Sequence, residues 1–313
     1  LTKTGCLELF SKTVDENCCR RSADQSIYSL QRLLSAGVIE TLCKSGLVTR
    51  IAIDLDGVIW RGTELIVGSD TAVHALLDAG HDVVFCTNHA QSPEMKLAAL
   101  SEFGIEGIAV VTAAQAAAAC CTADQTVLVL GDQSLSQVFV EAGIATVNVD
   151  DLPSDGPAPR VDTVVVGAYS IWDRSRIALA ADAIRAGASF LATNDDATFP
   201  ASSAIGPRVL PGNGSLIAAI AAATGVEARV AGKPHSAMAQ VLLQHFGGID
   251  IVVGDNAETD GELAARLGAE FALVLSGITT ESDLPVTPSP AHIGSDLAGI
   301  VEGILAAEAN LPR

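Results

Sequence analysis

Basic residues are scarce. Lys and Arg number 18 against 37 Asp and Glu, and the formal net charge is −19. A surface with so few cations cannot gather the phosphates of a nucleic acid or an anionic membrane, so neither is expected as a partner. A small phosphate ester stays possible, because one pocket needs only a metal and a few donors. No apolar run reaches the roughly 18 residues of a membrane-spanning helix. No apolar segment of the secretory-signal kind opens the chain. The seven Cys are odd in number. They include the adjacent pairs Cys18-Cys19 and Cys120-Cys121 and show no CxxC spacing. A disulfide framework or structural zinc site is therefore not expected, and a reducing, cytoplasmic setting fits. No internal repeat is evident.

What the chain has in quantity is apolar residues, 49% of 313, enough for a full core. Residues 1–48 are more polar, carry Arg20 and Arg21, and read as a poorly ordered or helical extension, with Ser26–Ala36 as a short helix. From Ile51 onward short apolar runs alternate with amphipathic stretches. Strands are expected at Ile51–Leu55, Val83–Cys86, Ile108–Val111, Thr126–Leu130, Ala145–Val149, Thr163–Val166, Ser189–Ala192, Ala228–Val230, Ile249–Val253 and Phe271–Leu275. Helices are expected at Ser69–Ala79, Ser92–Leu100, Ser215–Ala223, His235–Phe246 and Asp260–Leu267. Leu152–Arg160 and Ser282–Pro290 read as loops. Such alternation predicts an α/β fold, a doubly wound, mostly parallel sheet covered on both faces.

Polar residues gather where these strands end, which is where open α/β sheets bind ligands. Asp54-Leu55-Asp56-Gly57 closes the first strand. Asp-Gly is also a common surface turn, but a strand-end carboxylate needs water, a cation or a proton. Thr87 and Asn88 follow the second strand and can donate to an oxyanion, with His89 next to them. Lys233 stands before a helix, placed to meet a phosphate as a point charge. Asp255 ends another strand, and Asp260 follows five residues later. Hard oxygen ligands from two strand ends suit Mg²⁺.

In this order the residues resemble the haloacid dehalogenase superfamily over roughly residues 50–280. Asp54 and Asp56 match its DxDG motif, Thr87 its second motif, Lys233 its third, and Gly254-Asp255 with Asp260 its fourth. The resemblance implies a Rossmann-like catalytic core at 49–123 and 207–313. Between them, at 124–206, it implies an inserted smaller α/β cap of the C2 type. It also implies a Mg²⁺-dependent phosphatase in which Asp54 is phosphorylated and Asp56 is the acid and base. Thr87 and Lys233 hold the phosphoryl group. Asp54, Asp255 and the Asp56 carbonyl bind the metal, with Asp260 as a further ligand or as support for Lys233. Ala192-Thr193-Asn194-Asp195-Asp196 and Pro211-Gly212-Asn213-Gly214 are similar to segments of the p-nitrophenyl phosphatase, or NagD-like, branch. Gly57, Asn88, His89, Asn194 and the cap residue Arg174 are the candidate substrate contacts. Asn194 reads first as a cap-to-core connection, with substrate contact behind it. Tyr169 and Arg174 depart from the branch pattern, which separates this chain's specificity from its relatives'. A homodimer through the cap is the expected assembly.

The expected substrate is a small phosphate ester such as glycerol phosphate or phosphoglycolate, because no aromatic cluster lines the candidate cap loops. Pyridoxal phosphate or a nucleoside monophosphate is the alternative within the same fold. A binding or regulatory protein without turnover would have lost Asp54, Asp56 or Lys233, and all three are present. A dinucleotide enzyme would need GxGxxG after the first strand, where this chain places carboxylates.

Overall fold

The computed structural model describes residues 48–309, apart from 168, 171, 204 and 205. The expected N-terminal extension and its helix at Ser26–Ala36 lie outside the described residues. The chain opens with β1 (Arg50–Ile53), the short ribbon β2 (Trp60–Arg61) and β3 (Glu64–Leu65), then α1 (Ser69–Asp78), β4 (Asp82–Thr87), α2 (Pro93–Glu102), β5 (Ala109–Thr112) and α3 (Ala113–Ala118). An inserted stretch follows: β6 (Thr126–Leu130), α4 (Gln133–Glu141), β7 (Ala145–Asn148), β8 (Thr163–Val166), α5 (Arg174–Arg185), β9 (Ser189–Ala192), β10 (Thr198–Ser203), β11 (Gly206–Pro211), α6 (Asn213–Thr224) and β12 (Arg229–Val230). The chain returns through α7 (Ser236–Phe246), β13 (Ile251–Gly254), α8 (Glu262–Leu267), β14 (Glu270–Val274), β15 (His292–Gly294) and α9 (Leu297–Ala309).

Two wholly parallel sheets result. The first has six strands in the order β15-β14-β13-β1-β4-β5. The second has five, β12-β9-β8-β6-β7. Side chains alternate across each strand. Ile51, Ile53, Phe85 and Val253 therefore face α1 and α9, where Val73, Leu76, Leu297 and Ile300 cover them. Ala52, Val84 and Val252 face the opposite way, toward Met238 and Leu242 of α7 and Leu263 of α8. The second sheet buries Leu128, Leu130, Val164 and Val166 against Ala180 and Ile184 of α5 and Leu216 and Ile220 of α6.

Successive strands of the first sheet run outward from β1 on one side through β4 and β5, and on the other through β13, β14 and β15. The direction of winding reverses between β1 and β13. This is the crevice in which doubly wound sheets place their ligands.

Two expectations need correcting, and one element is new. The inserted layer does not end at 206. α6 packs on α5, and β12 pairs with β9, so the stretch through Val230 still belongs with the second sheet. The segment after Ala192, to which the sequence assigned no element before Pro211, holds the antiparallel ribbon β10–β11, pairing Thr198 with Pro211 through Ser203 with Gly206. Its prolines mask a strand pattern, yet a two-stranded ribbon tolerates them because each strand has a free edge. Finally, Asp260 lies not at the start of a helix but in a wide turn, Ala257–Gly261, that leads into α8.

Phe85 is fully buried in β4, two residues before Thr87. Phe85→Ala should cost about 3–5 kcal/mol of stability. The expected readout is a clear fall in the urea midpoint followed by circular dichroism.

Candidate active site

β1 and β13 end side by side, with the Asp54 N–H donating to the Val253 carbonyl at 2.9 Å. Their next residues are Asp54 and Asp255. Asp260 folds back over Gly254, where a Cβ would stand 2.1 Å from the Asp260 carboxyl carbon. Only glycine leaves that space. The three carboxylates offer oxygens within 4.8 Å of one another, and all three residues are buried. Into this group the second sheet delivers Lys233, which follows β12 and is 2% exposed. Its Nζ lies 2.7 Å from Asp54 Oδ1 and 2.7 Å from Asp260 Oδ1.

The charges explain the arrangement. Burial raises Asp54 well above the usual carboxylate range; Lys233 lowers it, while Asp260 and Asp255 raise it further. Burial and then Asp260 push Asp255 up to about 6, against the pull of the Ile278 N–H and Lys233. Burial alone would lower Lys233, but Asp260 and Asp54 hold its ammonium well above the ordinary lysine value. One ammonium does not balance three buried carboxylates. A divalent cation would, and the oxygen-only donor set suits Mg²⁺. The Asp56 side chain is not one of the three.

Asp54 and Asp56 share a strand spacing but not a direction. The chain turns over immediately after β1, with the N–H groups of Val58, Ile59 and Trp60 donating to the Leu55 carbonyl. Asp56 is left exposed, and its Oδ1 accepts from Trp60 Nε1 at 3.0 Å. Gly57 adopts a positive φ of 81°, and a Cβ there would come within 2.2 Å of Asp255 Oδ2. Its own N–H donates to the Trp60 carbonyl. Gly57 thus makes room for Asp255, and its N–H is not free for substrate as expected.

Thr87 is buried at the end of β4, where its Oγ1 accepts from the His89 N–H at 3.1 Å. Asn88 is committed elsewhere. Its Oδ1 accepts from the Lys233 N–H at 2.6 Å, and its Nδ2 donates to the Lys233 carbonyl at 3.1 Å. The expected oxyanion donor is instead a clamp on the lysine backbone. Asn194 donates to the Asn88 carbonyl at 2.8 Å and accepts from the Asp196 N–H, which is the connecting geometry between the two sheets. The His89 Nδ1 is buried without a hydrogen-bond partner, and burial, then Lys96, lowers its pKa to about 4. Its ring is therefore neutral at physiological pH. His235 does not cap α7 with its side chain; its ring lies 3.1 Å from Asp195 Oδ2. Arg174 sits exposed on the first turn of α5, behind Asp173, whose carboxylate accepts from the N–H groups of Ser175 and Arg176. Arg176 turns onto the carbonyls of Val149 and Leu152.

Two residues, Trp60 and Ile278, were given no role by the sequence reading, and a third, Asp196, was read only as part of a cap-to-core connection. Asp196 stands 3.4 Å from Asn88 Nδ2, with its pKa raised by burial although Lys233 lowers it. Trp60 holds Asp56, and its signal was a Trp four residues past that acid in a chain poor in aromatics. Ile278 donates its N–H to Asp255 Oδ2 at 2.7 Å; nothing in the sequence marks a backbone donor. Cys86, behind the site, is pushed by burial up to about 12, which excludes it as a thiolate nucleophile.

The family model described as haloacid dehalogenase-like hydrolase matches residues 51–145. A second model of HAD-like hydrolases matches residues 230–300. The D-glycerol 3-phosphate phosphatase of Mycobacterium tuberculosis is 35% identical over 263 residues, spanning 80% of this chain and 70% of that protein. The crystal structure of the glycerol phosphate phosphatase of M. tuberculosis in complex with magnesium superimposes with a TM-score of 0.69 at 34% identity, over 81% of this chain and 76% of that one. The p-nitrophenyl phosphatase of Archaeoglobus fulgidus gives a TM-score of 0.72 at 29% identity, over 82% and 99%. The chain belongs to the haloacid dehalogenase-like hydrolases, in the p-nitrophenyl phosphatase, or NagD-like, branch.

The raised pKa of Asp255 sets a stability trend. The folded state keeps a proton that an unfolded Asp releases near its usual value of about 4. That contribution is full below about pH 4 and is lost as pH rises through about 6. With chelator present, the parent should therefore lose melting temperature relative to Asp255→Asn between pH 5 and 8. Added Mg²⁺ should stabilise the parent more at pH 8 than at pH 5, as read by thermal unfolding.

Proposed function

We propose that the protein hydrolyses a small-molecule phosphate monoester to an alcohol and inorganic phosphate, with Mg²⁺, through an aspartyl phosphate on Asp54. The observation that carries this reading is the buried group Asp54, Asp255 and Asp260 with Lys233 wedged between two of its members.

Asp54 attacks phosphorus through a carboxylate oxygen, and the ester oxygen leaves. Asp56, on the exposed side of the turn, gives that oxygen its proton. It then takes a proton from the water that hydrolyses the aspartyl phosphate. Lys233 has three N–H donors, of which Asp54 and Asp260 engage two. The third serves a phosphoryl oxygen, and the Thr87 hydroxyl serves another. Asp260 orients Lys233, and Asn88 fixes the lysine backbone. Mg²⁺, held by Asp54, Asp255 and the Asp56 carbonyl with Asp260 close by, supplies the positive charge that offsets the phosphoryl oxygens when bound.

We read the second sheet with its helices as a cap over this site. The support is the set of bonds that join the layers, Asn194 to the Asn88 carbonyl and Asn88 to the Lys233 N–H and carbonyl. The substrate is a polyol or short acid phosphate, such as glycerol phosphate or phosphoglycolate. The mycobacterial relative acts on glycerol phosphate by its name. Two polar aromatics of the inserted layer are tied to its own loops: the Tyr169 hydroxyl donates to Asp150 Oδ1, and Trp172 Nε1 donates to the Tyr169 carbonyl. Neither is held as a stacking platform for a nucleobase or pyridine ring. The acidic charge and reduced cysteines support a cytoplasmic setting without nucleic-acid or membrane partners. A homodimer through the inserted layer belongs to the same reading, supported by exposed Phe199 and Val209 on the β10–β11 ribbon.

The test is phosphate release from a panel of small monoesters, with Mg²⁺ and with chelator. The parent should turn over glycerol phosphate or a close analogue only with metal. Asp54→Asn should lose about a thousandfold or more of kcat, because the nucleophile itself is gone. Release that survives in Asp54→Asn would sink the aspartyl-phosphate reading.

A further inference from the structure

The geometry points to Trp60 as the residue that aims Asp56. This rests on the reading of Asp56 as acid and base. A carboxylate on an exposed turn rotates freely unless something holds it, and proton transfer needs it aligned with the leaving oxygen. Trp60 Nε1 donates to Asp56 Oδ1 at 3.0 Å. The indole is itself fixed. Trp60 is 4% exposed. Its ring lies 6.2 Å from that of Phe103, tilted by 39°, and Lys96 Nζ stands 5.7 Å from the ring centre. Lys96 is buried too. The backbone closes the same loop, with the Gly57 N–H donating to the Trp60 carbonyl at 2.8 Å and the Trp60 N–H to the Leu55 carbonyl at 3.3 Å.

An indole N–H can only donate. Oδ1 of Asp56 must therefore accept in both protonation states, and the transferable proton belongs on Oδ2. As the phosphorus–oxygen bond to the leaving group breaks, Oδ2–H passes its proton to that oxygen. In the second half-reaction the attacking water returns a proton to Oδ2 as its oxygen bonds to phosphorus and the bond from phosphorus to the Asp54 carboxylate breaks, releasing inorganic phosphate. Trp60 touches neither substrate nor metal, so it is a positioning residue. Packing in the apolar cluster with Leu55 and Ile59 explains a buried ring there, but not an indole nitrogen turned onto the acid.

Trp60→Phe keeps the ring and removes the donor. Its kcat should fall about tenfold to a hundredfold on the best alkyl phosphate of the panel, the scale of a lost hydrogen bond to a charged group. KM should stay within about twofold, as a loss confined to the transition state requires. On p-nitrophenyl phosphate kcat/KM, which reports only as far as departure of the leaving group, should stay within about twofold, because that phenolate leaves without a proton and needs little acid help. Equal loss of kcat/KM on both esters, or no loss on either, overturns the inference. A second readout needs no turnover. In Trp172→Phe protein the one remaining described indole N–H signal should shift, and exchange faster with water, when Asp56→Ala is added. A signal that does not move overturns it as well. Failure of the phosphatase reading looks different: the parent then releases no phosphate from any ester.

Discussion

The site depends on Lys233 being held as an ammonium between Asp54 and Asp260. Three carboxylates in one buried crevice repel one another, and each has lost most of its water. With one cation at 2.7 Å from two of them, the group is tolerable but still short of positive charge. Pairs of this kind contribute little net stability, yet removal of one partner leaves an uncompensated buried charge and costs about 3–5 kcal/mol. The residual imbalance favours a divalent cation and then a phosphoryl group. The fold thus stores an electrostatic deficit that ligands relieve.

The cation does not come from the sheet that supplies the carboxylates. Asp54 and Asp255 sit at the reversal of the first sheet, whereas Lys233 follows β12 of the second. Asn88 joins them, bonding both the N–H and the carbonyl of Lys233 from the end of β4. Asn194 then grips the Asn88 carbonyl. Lys233 is therefore positioned by contacts that cross between the two layers. Any shift of the inserted layer against the first sheet acts on Lys233 directly, which couples access to the site with its charge balance.

Most of the strands and the charged site could be read from the chain, and the reasons are physical. Parallel strands buried on both faces leave continuous apolar runs, so Thr126–Leu130, Thr163–Val166 and Ser189–Ala192 match their expected bounds. Asp54, Lys233, Asp255 and Asp260 were visible because unpaired charge at strand ends is costly and therefore conspicuous. What escaped was of two kinds. The β10–β11 ribbon carries prolines and little alternation, so its strand character comes from pairing across the hairpin. The roles of Asn88 and Gly57 are set by close approach in three dimensions: one amide spanning a lysine backbone, and one missing Cβ beside a carboxylate. A motif tells where such residues fall but not which neighbour they serve.

Asp54 and Asp56 show how two identical side chains, two residues apart, acquire different chemistry. On a continuing strand both would face the same way. Here β1 stops at Ile53, and three N–H groups converge on the Leu55 carbonyl. The turn sends Asp54 inward, to a cation and two further carboxylates, and Asp56 outward, to one indole donor. In the proposed reaction the nucleophile must be held in place beside a cation that favours its ionised form, and Lys233 stands so beside Asp54. An acid must gain and lose a proton with each turnover, so it needs exchange with solvent as well as a fixed direction. Burial would hinder the second task, and exposure would weaken the first. The positive φ of Gly57 lets the chain turn sharply enough to separate them. The division of labour between the two acids is thus a property of the turn before it is a property of either side chain.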